Sequence, residues 1–378
     1  MYVQPLAAGW RAGTHTCSLI GCLAVATFAA PALAAGEHHG HAIDERRNTV
    51  LEHAPIGMMG DHRHEAGEWM ISYRFMDMDM GGNRDGTNGL SPQTIATTVP
   101  NRFFGAPMQP PTLRVVPLTM TMSMHMFGAM YAPSDRVTLM AMGSYVKKTM
   151  DHLTFQGPMG SNELGRFRTK SDGFGDTRLS ALVSLFERPS HSLYLNAGIS
   201  LPTGKIGASD EILTPMNTRP TVRLPYAMQI GSGSYDLMPG ITYAGHQGNS
   251  AWGAQYLTTV RLGDNKADYS LGDVHELNVW AGYGWTPWLA TTLRLKASSQ
   301  GAIDGRDALI IGPVQTADPD NYGGDRLEGF FGVNLIGIDG ALAGHRLAIE
   351  AGLPLVEDLN GPQMGRNLQL VIGYQKAF

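Results

Sequence analysis

The sequence predicts an all-β fold, and three features carry that prediction. They are a composition of strand and turn formers, segments with a two-residue period, and connections of alternating length. The chain has 378 residues with 47 glycines and 22 prolines, and only 16% of its residues are charged. Such a composition suits strands and turns better than helices. Outside the first 34 residues, no uninterrupted apolar run reaches about 18 residues, which excludes a multi-span helical membrane protein.

Residues 1–34 are predicted to be a secretory signal peptide. Arg11 supplies the positive charge, residues 17–30 form the apolar stretch, and residues 32–34 (Ala-Leu-Ala) form the cleavage site. A lipoprotein box at residues 19–22 is the alternative, disfavoured because almost no apolar run precedes it. Both cysteines fall within this segment. The mature chain is therefore cysteine-free, which excludes disulfides, thiolate metal sites and cysteine nucleophiles.

Twelve segments in which apolar positions alternate with polar or small ones are predicted to be β-strands. The first shows the pattern clearly, because Trp69, Ile71, Tyr73 and Phe75 alternate with more polar residues and methionines. The twelve predicted strands cover residues 68–80, 113–131, 136–151, 173–187, 191–202, 226–244, 250–263, 272–285, 288–299, 324–338, 345–355 and 366–378.

Connections between these segments alternate strictly between short turns and long loops. The long ones cover residues 81–112, 152–172, 203–225, 264–271, 300–323 and 356–365. This asymmetry is typical of an outer-membrane barrel, which has short periplasmic turns and long extracellular loops. The sequence therefore predicts one transmembrane antiparallel β-barrel over residues 68–378, surrounded by outer-membrane lipid in a Gram-negative bacterium. Since twelve is even, residues 35–67 are predicted to be periplasmic and are a candidate plug for the lumen.

Aromatic residues support the same orientation. Trp69, Trp252, Trp285 and Trp288 lie at the short-turn ends of their strands, where an interfacial girdle is expected. The last segment ends with an aromatic residue, and Tyr374 and Phe378 share one face with three apolar residues. Such an ending is typical of strands read by the barrel-assembly machinery, although Lys376 departs from the pattern. A soluble β-sandwich would also alternate, but it would not explain the loop asymmetry and the terminal Phe378 together.

Three motifs resemble an outer-membrane transporter family of phenol meta-cleavage degradation pathways. They are Gly-Phe-Gly-Asp at residues 173–176, Gly-Ile-Ser-Leu-Pro-Thr-Gly-Lys at residues 198–205, and Gly-Ser-Gly-Ser-Tyr-Asp at residues 231–236. The resemblance covers residues 173–378 and implies a barrel that passes small molecules, aromatic ones among them. It implies no catalytic residues.

If polar faces point inward, as in other outer-membrane barrels, the lumen is more basic than acidic. Two interpretations remain open: these charges pair and brace the wall, or they favour anions, as rings of basic residues do in pores. The predicted lumen-facing residues are Arg74, Arg178, Arg261, Arg294, Lys296, Glu328, Arg346 and Glu350.

Methionine is the other unusual feature, since 15 of the 21 methionines lie between Met58 and Met150. In the second strand the polar residues alternate with Met120 to Met126, so these methionines are predicted to face lipid. Thioether and imidazole ligands suit copper, especially Cu(I). The candidate metal ligands are His62, His64, Met76, Met78 and Met80, expected to form two separate weak sites.

Function classes follow from these features. No serine motif, phosphate-binding loop or two-histidine protease helix is present, so an enzyme is not expected. The net charge of −5 gives no support to nucleic-acid binding. The sequence predicts passage of small molecules across the outer membrane without a required cofactor. The alternative is a copper-handling or metal-responsive barrel.

Overall fold

The computed structural model describes residues 50–60 and 62–378. The predicted signal peptide and the first part of the predicted periplasmic segment lie outside the described residues. Eighteen strands and one short α-helix, Pro92–Thr98 (α1), follow in chain order. The strands are Trp69–Gly86 (β1), Asn88–Leu90 (β2), Val115–Ser134 (β3), Val137–Phe155 (β4), Glu163–Phe174 (β5), Thr177–Arg188 (β6), His191–Leu201 (β7), Ser209–Glu211 (β8), Thr221–Arg223 (β9), Asp236–Leu237 (β10), Gly240–Gln247 (β11), Ser250–Arg261 (β12), Tyr269–Ser270 (β13), Val274–Thr286 (β14), Leu289–Gln300 (β15), Asp304–Gly305 (β16), Gly324–Ile336 (β17) and His345–Ala377 (β18). In the described part of the chain, no helix is long and apolar enough to span a membrane.

The strands close into one antiparallel barrel. Neighbouring strands pair in the order β1, β3, β4, β6, β7, β11, β12, β14, β15, β17 and β18, and β18 pairs again with β1. Two of the barrel strands are interrupted. β5 continues into β6, and both pair with β4. β10 continues into β11, and both pair with β7 and β12. Closure removes the unpaired edges that would otherwise expose backbone donors and acceptors in lipid.

The 33-residue element β18 is two barrel strands. Residues 346–359 pair with β17, whereas residues 363–377 pair with β1. A tight turn reverses the chain at Gly361, whose φ of 68° suits glycine. The two ends meet again where Ala377 N donates to Gly344 O at 3.0 Å. With β18 counted twice the barrel has twelve strands, and the predicted fold class is confirmed.

Two predicted loops are wrong. Residues 163–172, placed in a long loop, belong to β5, which pairs with the outer half of β4. Residues 356–365 are mostly strand, because the last connection is the tight turn at Gly361. The alternation of long and short connections therefore holds along the chain until this final hairpin.

The barrel closes at the end of the chain through Phe378. Its backbone N donates to Trp69 O, and Trp69 N donates to Phe378 O, both at 2.9 Å. Tyr374 lies opposite Tyr73 in the same seam, and its hydroxyl bonds His345 Nδ1 at 2.7 Å. The last residue thus pairs with the first residue of β1.

Deleting Phe378 is expected to lower the amount of folded protein in the membrane several-fold. The deletion removes the two backbone hydrogen bonds between Phe378 and Trp69, each with a net value of about 1 kcal/mol, together with the terminal aromatic ring. Heat-modifiability gels of membrane fractions measure the folded share. Phe378→Trp is the matched control because it keeps the backbone bonds and an aromatic end. Equal folded amounts in the deletion and the parent would contradict a role of this residue in assembly.

Candidate functional site

Twelve methionines line one continuous part of the lumen. They alternate along β1, β3 and β4, and the register sets them side by side: Met70, Met130 and Met140 form one row, and Met80, Met120 and Met150 another. We call this surface the methionine wall. Its members are Met70, Met76, Met78, Met80, Met120, Met122, Met124, Met126, Met130, Met140, Met142 and Met150.

The methionine wall corrects the prediction that Met120 to Met126 face lipid. Met120 is 4% exposed and packs against Leu224 and Met228, which are also buried. The intervening Thr119 and Thr121 are exposed on the outside. The polar face here points outward and the apolar face points into the lumen. Membrane-spanning strands have the opposite arrangement.

Strand length explains the reversal. A strand needs only about 9–11 residues to cross the membrane, but β3 has 20 and β4 has 19. Their outer halves therefore extend beyond the hydrocarbon layer, where the outside is water. Polar side chains bond one another on that outer surface, as in Ser123 Oγ to Asp77 at 2.6 Å and Arg168 Nε to Asp151 at 2.7 Å. The apolar methionines on the opposite face of each strand therefore point into the lumen.

Residues 50–60 and 62–64 lie inside the barrel, and we call them the luminal segment. Ile56 and Met58 are 1% and 2% exposed. Their surroundings are inward-facing residues near the short-turn end; Ile56, for example, packs with Ala348 and Val371. The boundaries of the predicted periplasmic segment, and its role as a plug, stay predictions.

Two of the predicted lumen arginines donate to the luminal segment, and a third pairs with Glu350, which itself binds the segment. Arg74 Nη1 donates to Met58 O and Arg346 Nη2 donates to Ala54 O, both at 2.6 Å. Arg294 makes a two-pronged ion pair with Glu350 at 2.9 and 2.8 Å. Glu350 in turn accepts from Gly57 N at 3.0 Å. These four residues anchor the segment.

Gly57 is required at this anchor by close packing. A Cβ at this position would overlap Glu350 Oε2 and press on Arg294 Nη2. Arg294 cannot yield easily, because its guanidinium also donates to Asn278 at 2.8 Å and lies 3.8 Å from the centre of the Phe330 ring. The backbone of the segment therefore rests directly on a buried charge pair.

Further from the short turns, inward-facing charges form a second group, the charged belt. Lys296 Nζ pairs with Glu276 at 2.6 Å and lies 3.9 Å from Glu328. Arg366 Nη1 pairs with Glu328 at 2.7 Å. Two further pairs complete the belt: Arg261 with Asp236, and Arg326 with Glu357.

Arg178 differs from the other charges of the belt. Its side chain is exposed to the lumen, and in the described part of the chain that side chain makes no ion pair or hydrogen bond. Its register partners are Met142, on the edge of the methionine wall, and Ser200. Three carboxylates, Glu276, Asp176 and Asp236, and one cation, Arg261, lie within electrostatic range. A free cation therefore borders an apolar, polarizable surface.

The predicted metal ligands lie in two separate groups, as expected from the sequence. His62 and His64 lie in the luminal segment, where the His62 ring is 4.5 Å from His53 and 5.0 Å from His64. Met76, Met78 and Met80 lie on β1 beyond Arg74, in the direction of the long loops. Within residues 50–60 and 62–378, no group of three His, Cys, Asp or Glu side chains could hold a metal ion.

The three motifs that carry the family resemblance converge on one carboxylate. Asp176 of the first motif accepts from Gly204 N of the second at 2.9 Å. It also accepts from the backbone N and the hydroxyl of Ser232, in the third motif, at 2.7 and 3.0 Å. Gly204 and Gly231 pack so closely that a Cβ on either would touch the other. The motifs thus form a polar hub that ties the 203–235 loop to the barrel.

Asp176→Ala is expected to destabilise the barrel. Three hydrogen bonds to a charged acceptor are lost, each with a net value of about 1.5–3 kcal/mol. Heat-modifiability gels should show unfolding at a temperature several degrees below that of the parent. Asp172→Ala, whose carboxylate bonds Tyr145 on the outer surface, is the control and should unfold close to the parent. Unchanged unfolding of Asp176→Ala would show that the hub contributes little.

Loops cover the opposite end of the lumen. Phe103, Tyr226, Tyr269 and Ile310 form a buried cluster there, and Arg223 pairs with Asp307 at 2.7 Å. Burial raises the pKa of Tyr269 to about 12. This hydroxyl therefore stays neutral at physiological pH, and the loop cluster does not depend on its ionisation.

Comparison with solved structures finds outer-membrane barrels of similar fold. An outer-membrane channel from Pseudomonas putida F1 is similar over 84% of this chain and 97% of its own, with 15% identity and a TM-score of 0.52. The toluene transporter TodX from Pseudomonas putida matches 83% of this chain and 90% of its own, with 10% identity and a TM-score of 0.40. No protein-family model matches, and no curated protein does. The fold is that of a β-barrel of the Gram-negative outer membrane.

Proposed function

We propose that this protein passes small molecules across the outer membrane and favours amphipathic anions, in which an apolar body carries a negative group. A closed barrel that encloses charged and methionine-rich surfaces supports a role in passage. The likeness to the Pseudomonas putida F1 channel concerns the fold. Substrate preference is argued from the lumen of this chain.

Arg178 carries the proposal. Its unpaired guanidinium borders Met142, and Met126 lies on the neighbouring strand of the methionine wall. A guanidinium attracts carboxylates, phenolates and sulfonates, whereas methionine adapts its shape and contacts aromatic rings favourably through sulfur. An amphipathic anion can use both surfaces at once.

Packing at both ends indicates a narrow route rather than a wide pore. The luminal segment occupies the lumen near the short turns. Toward the other end, Met120 and Met150 pack against Leu224 and Met228 of the 203–235 loop. Solutes then pass close to the wall, where side-chain chemistry can select among them. The family resemblance favours aromatic compounds, and the link to phenol meta-cleavage stays a prediction.

Flux into proteoliposomes tests the proposal. Four permanently charged or neutral solutes separate its parts: benzenesulfonate, phenyltrimethylammonium, methanesulfonate and glucose. Benzenesulfonate should enter fastest, because it alone has both a ring and a negative charge. Protein-free liposomes give the background leak.

Two of the other solutes each test one part of the proposal. Phenyltrimethylammonium entering as fast as benzenesulfonate would contradict the preference for anions. Methanesulfonate entering as fast as benzenesulfonate would contradict selection of an apolar body by the methionine wall. Entry of none of the four would argue against passage of small solutes altogether.

A further inference from the structure

A small cavity separates the luminal segment from the methionine wall near the short turns. Its volume is about 30 Å³, room for about one water molecule or one metal ion. His62 lines it from the luminal segment. Six methionines line it as well, together with Ser72, Arg74, Gln375 and four glycine or alanine residues. The methionines are Met59, Met70, Met126, Met130, Met140 and Met142.

The register explains this concentration of sulfur. Met70, Met130 and Met140 occupy directly paired positions on three adjacent strands, and paired residues have Cβ atoms about 4.5–5.5 Å apart. Met59 approaches from the other side, and its backbone is fixed because its carbonyl accepts from Gln255 at 2.8 Å. Thioethers from two separate parts of the chain thus meet one imidazole.

Donor chemistry decides which ion could fit. The side chains that line the cavity include no carboxylate, and the one charged group is Arg74, which donates to Met58 O. Hard divalent cations prefer carboxylate oxygen, and an adjacent cation disfavours a double positive charge. Neutral thioether and imidazole donors select a soft monovalent ion.

We propose that this cavity binds Cu(I), with His62 and the row of Met70, Met130 and Met140 as its ligands. This site differs from the two separate sites predicted from the sequence, because Met76, Met78 and Met80 lie beyond Arg74 and do not line the cavity. The imidazole ligand lies in the luminal segment and the three thioether ligands lie on the barrel strands. Bound Cu(I) therefore links the luminal segment to the barrel wall. The inference is independent of the proposed passage of amphipathic anions.

Anaerobic competition between the refolded protein and the chromophoric chelator bicinchoninate measures Cu(I) affinity. The double variant Met130→Leu/Met140→Leu is expected to bind Cu(I) at least tenfold more weakly, since leucine keeps the apolar volume and removes sulfur. The triple variant Met76→Leu/Met78→Leu/Met80→Leu is the matched control and should bind like the parent. Ag(I) in place of Cu(I) should give the same order without redox chemistry.

Three outcomes would overturn the site. The parent protein could fail to compete with the chelator, or the double variant could bind as tightly as the parent. The triple variant could instead lose binding, which would move the site to the outer methionines. Heat-modifiability gels confirm that each variant is folded, and His62→Ala provides a second, sulfur-independent test with the same expected loss. Benzenesulfonate flux in the parent is measured separately, without copper. Normal flux without Cu(I) binding contradicts this site alone, and Cu(I) binding without flux contradicts the proposed function alone.

Discussion

A chain that lacks residues 50–64 is expected to conduct ions several-fold better than the parent in planar bilayers. The luminal segment places buried groups such as Ile56 and Met58 inside the lumen near the short turns. Its removal leaves that space to water. Arg74 and Arg346 lose their carbonyl acceptors in the segment, and water can replace those carbonyls.

A point substitution tests the same segment without shortening the chain. Gly57→Val should displace the segment, because its side chain overlaps Glu350 and Arg294, and should raise conductance in the same direction as the deletion. Gly143→Val is the matched control, since a Cβ at Gly143 meets nothing within 4 Å. Parent-like conductance of the deletion would show that the segment does not restrict the lumen.

Reversing the charge at Arg178 is expected to invert the preference for anions. Two unit charges 5 Å apart interact by about 0.8 kcal/mol in bulk water and about 3 kcal/mol at an effective dielectric constant of 20. Arg178→Glu turns an attraction into a repulsion of similar size. The flux ratio of benzenesulfonate to phenyltrimethylammonium should therefore fall by at least about tenfold.

Two variants separate charge from position. Arg178→Lys keeps the charge and should retain the preference for benzenesulfonate, with some loss because lysine lacks the planar fork of arginine. Arg188→Glu makes the same charge change at the short-turn end, where Arg188 lies over the Phe186 ring, and should leave the flux ratio near that of the parent. An unchanged ratio in Arg178→Glu would contradict the assigned role.

Much of the barrel could be predicted from local pattern. A two-residue period identifies strands because one face meets lipid and the other the lumen, and each of the twelve predicted segments overlaps a barrel strand. The eight residues predicted to line the lumen differ in their contacts in the structure. Arg74, Arg294, Arg346 and Glu350 hold the luminal segment, whereas Arg178 alone in the charged belt stays unpaired within the described residues. Pairing depends on which strands become neighbours, and periodicity does not encode that.

The sequence by itself determined the strand number, the positions of most turns and the content of methionine. Only the tertiary structure decided which way the methionines face. Alternation defines two faces of a strand without saying where the membrane ends, and β3 and β4 are long enough to leave it. Once water lies outside the barrel, Thr119 and Thr121 belong on the outer surface and Met120 and Met122 in the lumen. The same rule of apolar burial acts on both halves of each strand, but the solvent on the outer face changes from lipid to water.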